Sequence, residues 1–201
     1  MSKDKPVGQQ RKSTDVRQRE IVDAAMRTIA VDGARCFTAK NIAEEIGITS
    51  GAIFRHFTSM DAVLDAVIDR MEEILFDTFP PEDPDPLKRV EAFFKDRVRV
   101  ILEHRHVARM LLSDHFQQAA GPEGERRIEE FKIRSRKFVN DCLTNAREKG
   151  LLKEAGPEEC SILVMGSILA LANASIRSGN EQQLKELSRK VWSTLDRMIR
   201  A

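Results

Sequence analysis

The sequence predicts an all-α protein, and three observations support this fold class. Apolar residues recur at the three- and four-residue spacing of amphipathic helices along most of the 201-residue chain. Runs of alternating β-branched residues and Asn-Gly turns, which are typical of strands and hairpins, do not occur, and the chain has no tyrosine. Glycine, proline and capping residues divide the chain into about nine helical segments.

The first helix follows an N-terminal arm that we expect to be disordered. Its apolar face carries Ile21, Ala25 and Ile29, and it ends before the Asp32-Gly33 pair. We expect this face to pack against the two helices that follow.

The next two helices are short, and we predict that they form a helix-turn-helix. Thr38 can cap the second helix, and Gly47 is well placed to end it. The third helix begins after Thr49 and stacks Ile53 on Phe57. Its roughly seven residues are too few to hold a helix in water unaided, so packing against the first helix must hold it.

The remaining helices are separated by clear breaks. The fourth starts at Thr58 or Ser59 and stops at the stretch FPPEDPDP, the clearest linker in the sequence. Asp85 and Pro86 suit the N-cap and first position of the fifth. The others cover His104 to Phe116, residues 123–149, Gly156-Pro157 to Ile176, and an amphipathic segment from Leu184 to Met198.

The composition is that of an ordinary soluble protein, with 41% hydrophobic and 32% charged residues and a net charge of +1. Residues 1–58 carry ten basic against seven acidic side chains, which permits a nucleic-acid partner for this part of the chain. The three cysteines form no CxxC pair, which argues against a disulfide framework and fits a cytoplasmic location.

No membrane association is predicted. The N-terminus lacks the apolar region of a secretory signal. The most apolar run, residues 160–176, is interrupted by serine and asparagine and is short for a bilayer span of about 20 residues. A buried helix explains this run better.

The outward face of the third helix has the residue types that a DNA-reading surface needs. Small side chains let the backbone approach the floor of the major groove, hydroxyls can bond base edges, and cations can neutralise phosphate. The candidate DNA-binding residues are Thr38, Lys40, Thr49, Ser50, Gly51, Ala52, Phe54, Arg55 and His56. We expect further phosphate contacts from the arm residues Arg11, Lys12, Arg17 and Arg19. On this pattern alone, an αα-hairpin within a helical core is the alternative.

A family resemblance narrows this choice. The stretch FTAKNIAEEIGITSGAIFRHFTSMDAVLDAV, residues 37–67, strongly resembles the signature of TetR-family transcription regulators. The matching positions are Thr38, Ile42, Ala43, Gly47, Gly51, His56, Phe57, Ser59 and Leu64. The resemblance implies a DNA-binding domain, here residues 1–58, and a helical regulatory and dimerisation domain, here residues 59–201. It also implies a repressor that a small-molecule effector releases from a palindromic operator in double-stranded DNA.

Two positions depart from the family pattern. Phe54 stands where the family commonly has a tyrosine that bonds a DNA phosphate, and Met60 stands where lysine is common. Since each departure removes a phosphate contact, we expect binding to depend more on the basic arm and on Arg55.

Adequate specificity requires two copies of so short a reading helix, placed about 34 Å apart on a palindrome. We expect the last two helices of each subunit to form a four-helix bundle in a homodimer, as the resemblance also implies. The predicted interface residues are Gly166, Ala170, Ala174, Leu184, Val191, Trp192 and Leu195. Packing inside a monomer is the alternative.

Apolar residues of the middle helices could line a cavity for an effector. The candidates are Phe93, Phe94, Val98, Met110, Leu111, Phe116, Phe131, Phe138, Met165 and Leu169, with His115 or Asn173 as a polar anchor. Ordinary core packing is the alternative for each of them. The effector would be small and apolar or amphipathic, and the resemblance implies that it acts by shifting helix four and so changing the separation of the reading heads.

Other kinds of function remain alternatives. The histidines around residues 104–115 present no tetrahedral ligand set, and no cofactor or metal is predicted. No phosphate-binding glycine loop, GxSxG or HExxH motif occurs, so an enzyme is not expected. The second alternative is a TetR-like DNA-binding protein without a small-molecule inducer, which acts through a protein partner as a division or nucleoid factor. A closed C-terminal core would favour that alternative.

Overall fold

The computed structural model describes residues 13–177 and 180–201, and the described chain is all-α. One isolated bridge, between Leu152 and Arg200, is the single β-type pairing in these ranges. The predicted fold class is therefore confirmed. The helices are α1 Thr14–Asp32, α2 Ala39–Glu45, α3 Ser50–Ile53, α4 Met60–Phe76, α5 Pro86–Glu103, α6 Arg105–Leu111, α7 Asp114–Ala119, α8 Gly121–Glu148, α9 Pro157–Arg177 and α10 Glu181–Ile199.

Helix α1 begins earlier than its apolar periodicity indicated. Ser13 is the N-cap, and its side chain accepts a hydrogen bond of 3.4 Å from the backbone N–H of Val16. The predicted arm residues Arg11 and Lys12 lie outside the described residues, as does the expected disorder of the arm.

The turn between α2 and α3 is a Schellman motif. Gly47 has a φ of 67°, in the left-handed region that favours glycine. Its N–H donates to the carbonyl of Glu44 at 3.3 Å, and the N–H of Ile48 donates to the carbonyl of Ala43 at 2.9 Å. Gly47 therefore ends α2 as predicted, and this turn fixes the direction in which α3 leaves.

A first buried cluster joins α1 to α4 and continues further along the chain. Ile21, Ile42 and Ile53 are fully buried in it, as predicted for the inward face of the helix-turn-helix. The same cluster also contains Phe116 of α7 and Ile128 of α8. The domain boundary after residue 58 stays a prediction, and it falls inside this continuous core.

Helix α8 packs closely on α4. A Cβ atom at Gly124 would come within 2.9 Å of Ile68 Cδ1 and 2.7 Å of Ala120 Cβ, so a larger residue would require both side chains to move. Nearby, Arg127 on α8 pairs with Asp69 on α4 at 2.6 Å. These contacts join the C-terminal helices to the helix that follows α3.

A second buried cluster lies among α5, α8, α9 and α10. The Phe94 ring of α5 packs at 5.2 Å from the Trp192 ring of α10. Leu184, Trp192 and Leu195 are buried within a single chain, and their predicted place in a dimer interface stays a prediction. Helical periodicity identified the apolar face of α10 correctly but could not tell which neighbour covers it.

The segment 104–122 differs from the sequence prediction in two ways. The predicted helix His104–Phe116 is split into α6 and α7, because Ser113 caps a new helix by accepting a hydrogen bond from the N–H of Phe116 at 3.2 Å. The helix predicted for residues 123–149 begins earlier, because Gly121 and Pro122 lie in the first turn of α8, where proline gives up no helical hydrogen bond.

Helix α9 is long and apolar enough to cross a membrane by length and composition, and it is the one such helix in the described residues. In the structure it packs against α5, α8 and α10, and 39% of its most apolar window is buried. The core helix of a soluble protein meets the same two criteria.

Candidate DNA-binding surface and regulatory cavity

Helix α3 presents the predicted small residues on an accessible surface. Thr49, Gly51 and Arg55 are exposed, and Ser50 and Ala52 are half-buried. A Cβ atom added at Gly51 would meet no neighbour within 4 Å, so the space in front of the helix is open. A groove floor could therefore approach this surface closely.

The back of α3 is held firmly. Ile53 is fully buried, and the N–H of Phe57 donates to its carbonyl at 3.0 Å. From α1, the side-chain amide of Gln18 donates to the carbonyl of His56 at 3.0 Å. Packing and hydrogen bonds from α1 thus supply the stability that a four-residue helix lacks.

Helix α2 is fastened to α1 by the carboxylate of Glu45. One of its oxygens lies 2.6 Å from Nε of Arg27, and the other accepts a hydrogen bond from the buried hydroxyl of Thr28 at 3.0 Å. Both short helices therefore have a fixed position relative to α1.

Four of the candidate DNA-binding residues have surroundings that limit or define what they can contact. The Thr38 hydroxyl caps α2 by accepting from the N–H of Asn41 at 3.2 Å, and Lys40 lies 3.9 Å from Glu44. His56 is half-buried, and its Nδ1 atom is enclosed without a hydrogen-bond partner among the described residues. Phe54 is 50% exposed.

Two of the four cations predicted for the arm, Arg17 and Arg19, belong to α1 instead. Arg17 pairs with Glu20 at 2.9 Å, and Arg19 pairs with Glu73 of α4 at 3.3 Å. These carboxylates would compete with DNA phosphate for the two guanidinium groups, whose predicted phosphate contacts stay a prediction. No local pattern indicated the α1–α4 contact that brings Arg19 to Glu73.

A cavity of about 1200 Å³ lies among α5, α6, α7, α8 and α9 and reaches the end of α4 at Leu75. Four of the predicted pocket residues line it, namely Leu111, Phe131, Met165 and Leu169. Gly166, predicted for the dimer interface, lines it as well.

The other predicted pocket residues do not line this cavity, and their role in ligand binding stays a prediction. Phe93, Phe94, Met110 and Phe116 are each no more than 1% exposed and pack in the two cores. The remaining ones outside the lining are Val98 and Phe138, buried in the second cluster, and Asn173 and His115, which are exposed. An apolar stripe can face a core or a cavity, and its sequence is the same in both cases.

The charged lining of the cavity was missed. Arg97 of α5 is only 6% exposed, and it lies on the same helical stripe as Phe93 and Ile101. An arginine at a core position of an amphipathic helix is the signal that could have identified it. Lys132, Arg136 and Lys137 of α8 also line the cavity, together with Asp114 and Glu158.

Burial and neighbouring charges both change the pKa of Arg97. The pKa of Arg97 is lowered to about 10: burial is the main cause and Arg134 and Arg99 act in the same direction, while Asp96 raises the pKa. The guanidinium therefore stays charged at neutral pH in surroundings that do not favour the charge.

Two histidines lie where α6 meets α1. Their sequence spacing, i and i+2, predicted that they do not share a helix face. Because His104 precedes α6, its ring nevertheless lies 5.8 Å from that of His106. Burial lowers the pKa of both imidazoles. In the described chain no group of three potential metal ligands comes together.

An apolar face remains exposed on α9 and α10. Of the predicted interface residues, Gly166 and Ala170 are exposed, and Ala174 and Val191 are half-buried. Larger apolar side chains flank them: Ile162, Leu163, Leu187 and Met198 are 42–66% exposed. A surface of this kind on two adjacent helices is typical of an interaction site.

Comparison with known proteins connects the N-terminal helices to one family. The family model described as bacterial regulatory proteins, tetR family, matches residues 21–67. The HTH-type transcriptional repressor KstR2 of Mycobacterium tuberculosis (strain ATCC 25618 / H37Rv) is 27% identical over 140 residues, which cover 68% of this chain and 70% of that protein. The nucleoid occlusion factor SlmA of Vibrio vulnificus (strain YJ016) is 23% identical over 192 residues, 92% of this chain and 96% of that one.

Solved structures share the whole fold. The structure of the ketosteroid transcriptional regulator KstR2 of Mycobacterium tuberculosis superposes with a TM-score of 0.75 at 20% identity, covering 96% of this chain and 97% of that one. AibR in complex with isovaleryl coenzyme A and operator DNA gives a TM-score of 0.71 at 17% identity, covering 89% and 97%. At these identities the likeness concerns the fold alone.

Proposed function

Since this chain is a transcriptional regulator of the tetR family, we propose that it is a homodimeric repressor that an effector in the α5–α9 cavity releases from a palindromic operator. The observation that carries the proposal is the position of the cavity. It touches Leu75 in the last turn of α4, and α4 begins directly after the α3 segment. One helix therefore connects a candidate sensor to a candidate reading surface.

In this proposal α3 reads the operator. The exposed Thr49 and Gly51 and the half-buried Ser50 and Ala52 meet base edges, and the exposed Arg55 neutralises phosphate. Phe54 contributes contact area but no phosphate hydrogen bond, because it lacks a hydroxyl.

The exposed face of α9 and α10 is the proposed dimer interface. Leu163, Leu187 and Met198 supply the bulk that the buried Trp192 cannot, and Gly166 permits close helix approach. Twofold symmetry then presents two copies of α3 to one duplex.

Two contacts would transmit the effector's presence to the DNA-binding helices. The first is α4, through Leu75. The second is α6, whose Ala108 and Leu111 line the cavity while its Arg109 donates to the carbonyl of Ala30 in α1 at 3.3 Å. A ligand that binds one arrangement of these helices better shifts the spacing of the reading heads and weakens operator binding.

The alternative is a DNA-binding protein that acts through a protein partner and senses no small molecule. The alignment with SlmA over 92% of this chain favours it. A closed C-terminal core was the expected mark of that alternative, and the cavity of about 1200 Å³ argues for the effector instead.

The test starts from DNA fragments that the purified protein enriches from genomic DNA, sequenced and aligned for a common palindrome. Affinity for that sequence is then measured with and without cellular metabolites of low mass. We expect a palindromic motif and a metabolite that weakens operator binding by at least about fivefold, the lower end of typical allosteric coupling. Reciprocity is required, so an effector whose own affinity ignores the operator would contradict the proposed mechanism.

A further inference from the structure

Arg97 is the one buried side chain in the cavity wall with an unused charged donor, within the described residues. Its Nη1 donates to the backbone carbonyl of Leu75 and lies 3.3 Å from Asp96 Oδ2. Its Nη2 is enclosed and has no hydrogen-bond partner. A buried charged donor in this state is costly, because it has lost water and gained nothing in exchange.

The surroundings of Arg97 only partly compensate its charge. The rings of Phe76 and Phe93 lie 5.0 Å and 4.6 Å from the guanidinium carbon, so aromatic rings cover it. The carboxylate of Asp96 is shared, since it lies 2.7 Å from Arg99. The site is therefore electropositive, because the one carboxylate that pairs with Arg97 among the described residues, that of Asp96, also pairs with Arg99.

The remaining cavity lining has the same charge bias. Lys132, Arg136 and Lys137 outnumber Asp114 and Glu158 in the wall. Arg136 makes no ion pair or hydrogen bond with any described residue. Most of the remaining cavity wall is apolar, with Val100, Ile101 and Met165 among its residues. A small polar ion would therefore leave apolar wall in contact with water.

We propose that the cavity binds an amphipathic anion, in which an apolar chain occupies the cavity and a carboxylate or phosphate group pairs with Arg97. The guanidinium presents donors in a planar fork that suits both groups. This inference rests on the proposed function only in naming the bound molecule as the effector.

The same contact explains how an anion could be sensed. Arg97 already holds the carbonyl of Leu75 in the last turn of α4. An anion on the guanidinium competes for the donors that hold that turn, so the charged group of the ligand acts on the helix that leads to α3. A neutral chain of the same length would fill the cavity without this effect.

The experiment uses three probes of one chain length, decanoate, decyl phosphate and decanol, each below its micelle concentration. Calorimetry measures their binding to the full chain without DNA. We expect both anions to bind at least about tenfold more tightly than decanol, the ratio that one charge-assisted hydrogen bond provides. Equal affinity for all three probes, or no binding of either anion, would overturn the proposal. If one anion binds more tightly than the other, that preference shows whether the charged group of the natural ligand is a carboxylate or a phosphate.

Arg97→Met tests the residue, and Arg136→Met is the matched control at an exposed cation of the same cavity. We expect Arg97→Met to lose the preference for anions while decanol binds as before, and Arg136→Met to keep it. If instead Arg97→Met kept the preference for anions and Arg136→Met lost it, the anion would bind at the exposed rim, and the assignment to Arg97 would be overturned.

A second measurement on the unaltered protein guards against an Arg97→Met variant that fails to fold. Buried charge pairs are screened much less than exposed ones, so the preference should persist in about 0.5 M salt. Its disappearance there would place the anion on exposed lysines and arginines and overturn the proposal. Because these titrations contain no DNA, a failure to enrich any DNA fragment would refute the proposed function and leave this result intact.

Discussion

The region of α1 to α3 and the region of α8 and α9 use apolar residues in opposite ways. Around α3 the core is filled: Ile21, Ala25, Ile42 and Ile53 are all at 0% exposure. Around α9 the helices enclose about 1200 Å³ of space, and Ile162 remains 66% exposed. Under the proposed function this difference is expected, because a surface that reads DNA needs fixed positions and a sensor needs volume that a ligand can occupy.

The largest expected effect comes from two glycines, one in each region. A Cβ atom added at Gly51 or at Gly166 would meet no neighbour within 4 Å, so a side chain can start at either position without a clash. Gly51→Asp places a carboxylate against DNA phosphate, and we expect operator affinity to fall at least about 100-fold, equivalent to about 3 kcal/mol. Fluorescence anisotropy with a labelled operator measures this.

Gly166→Asp is the control for that comparison. It should leave α3 intact and act instead on dimerisation or effector binding, which analytical ultracentrifugation and ligand titration separate. If Gly51→Asp retained operator affinity, α3 would not be the reading helix.

The next prediction compares the loss of stability when a phenylalanine replaces an alanine in the filled core and in the cavity wall. Ala25→Phe inserts a ring into the core beneath the helix-turn-helix and should lower the free energy of unfolding by about 1–3 kcal/mol or more. Ala172→Phe points into the cavity wall and should cost much less, while abolishing the effector response. Chemical denaturation of both variants measures the difference, and equal destabilisation would mean that the cavity is not available space.

A smaller effect concerns pH at the contact between α1 and α6. Burial lowers the pKa of His106 below its ordinary value of 6.5, and His104 adds to this. The folded state thus binds fewer protons than the unfolded state, so stability is lost as the pH falls from about 6.5 through the lowered folded pKa. The groups facing it include Asp23, which opposes the shift, and Arg27 and Arg70, which reinforce it.

Replacing His106 by glutamine should flatten this acid limb of the stability curve. The measurement is melting temperature against pH from about 5.5 to about 7.5, one unit either side of the ordinary imidazole pKa of about 6.5. An unchanged acid limb in His106→Gln would show that carboxylates, and not this imidazole, control stability there.

The smallest expected effect is at the surface ion pair between α8 and α4, the helix that follows α3. Asp69→Asn removes the 2.6 Å partner of Arg127, and Asp69 is 64% exposed. We expect a loss of about 0.5 kcal/mol or less in water and almost none in high salt. Thermal melts at low and high salt measure it. A larger loss would mean that the α4–α8 contact depends on charge and not on the close packing at Gly124.

Much of the fold could be predicted because its signals are local. Thr38, Ser59 and Asp85 cap the helices that follow them, as their residue types indicated. Gly47 ends α2, and the face of α3 is exposed where small residues predicted it. Each of these features depends on a few neighbouring residues, whose conformational preferences the sequence contains.

The rest was decided by tertiary structure, because periodicity shows which face of a helix is apolar but not what covers that face. Trp192 packs against Phe94 of the same chain, which its position on the apolar face did not indicate. Phe93 fills a core, while Leu111 and Met165 border a cavity, although all three belong to similar apolar stripes. The place of Arg97, between Leu75 and the cavity, follows from the crossing of α4 and α5, which joins residues 22 positions apart. Only the assembled helices bring such groups together.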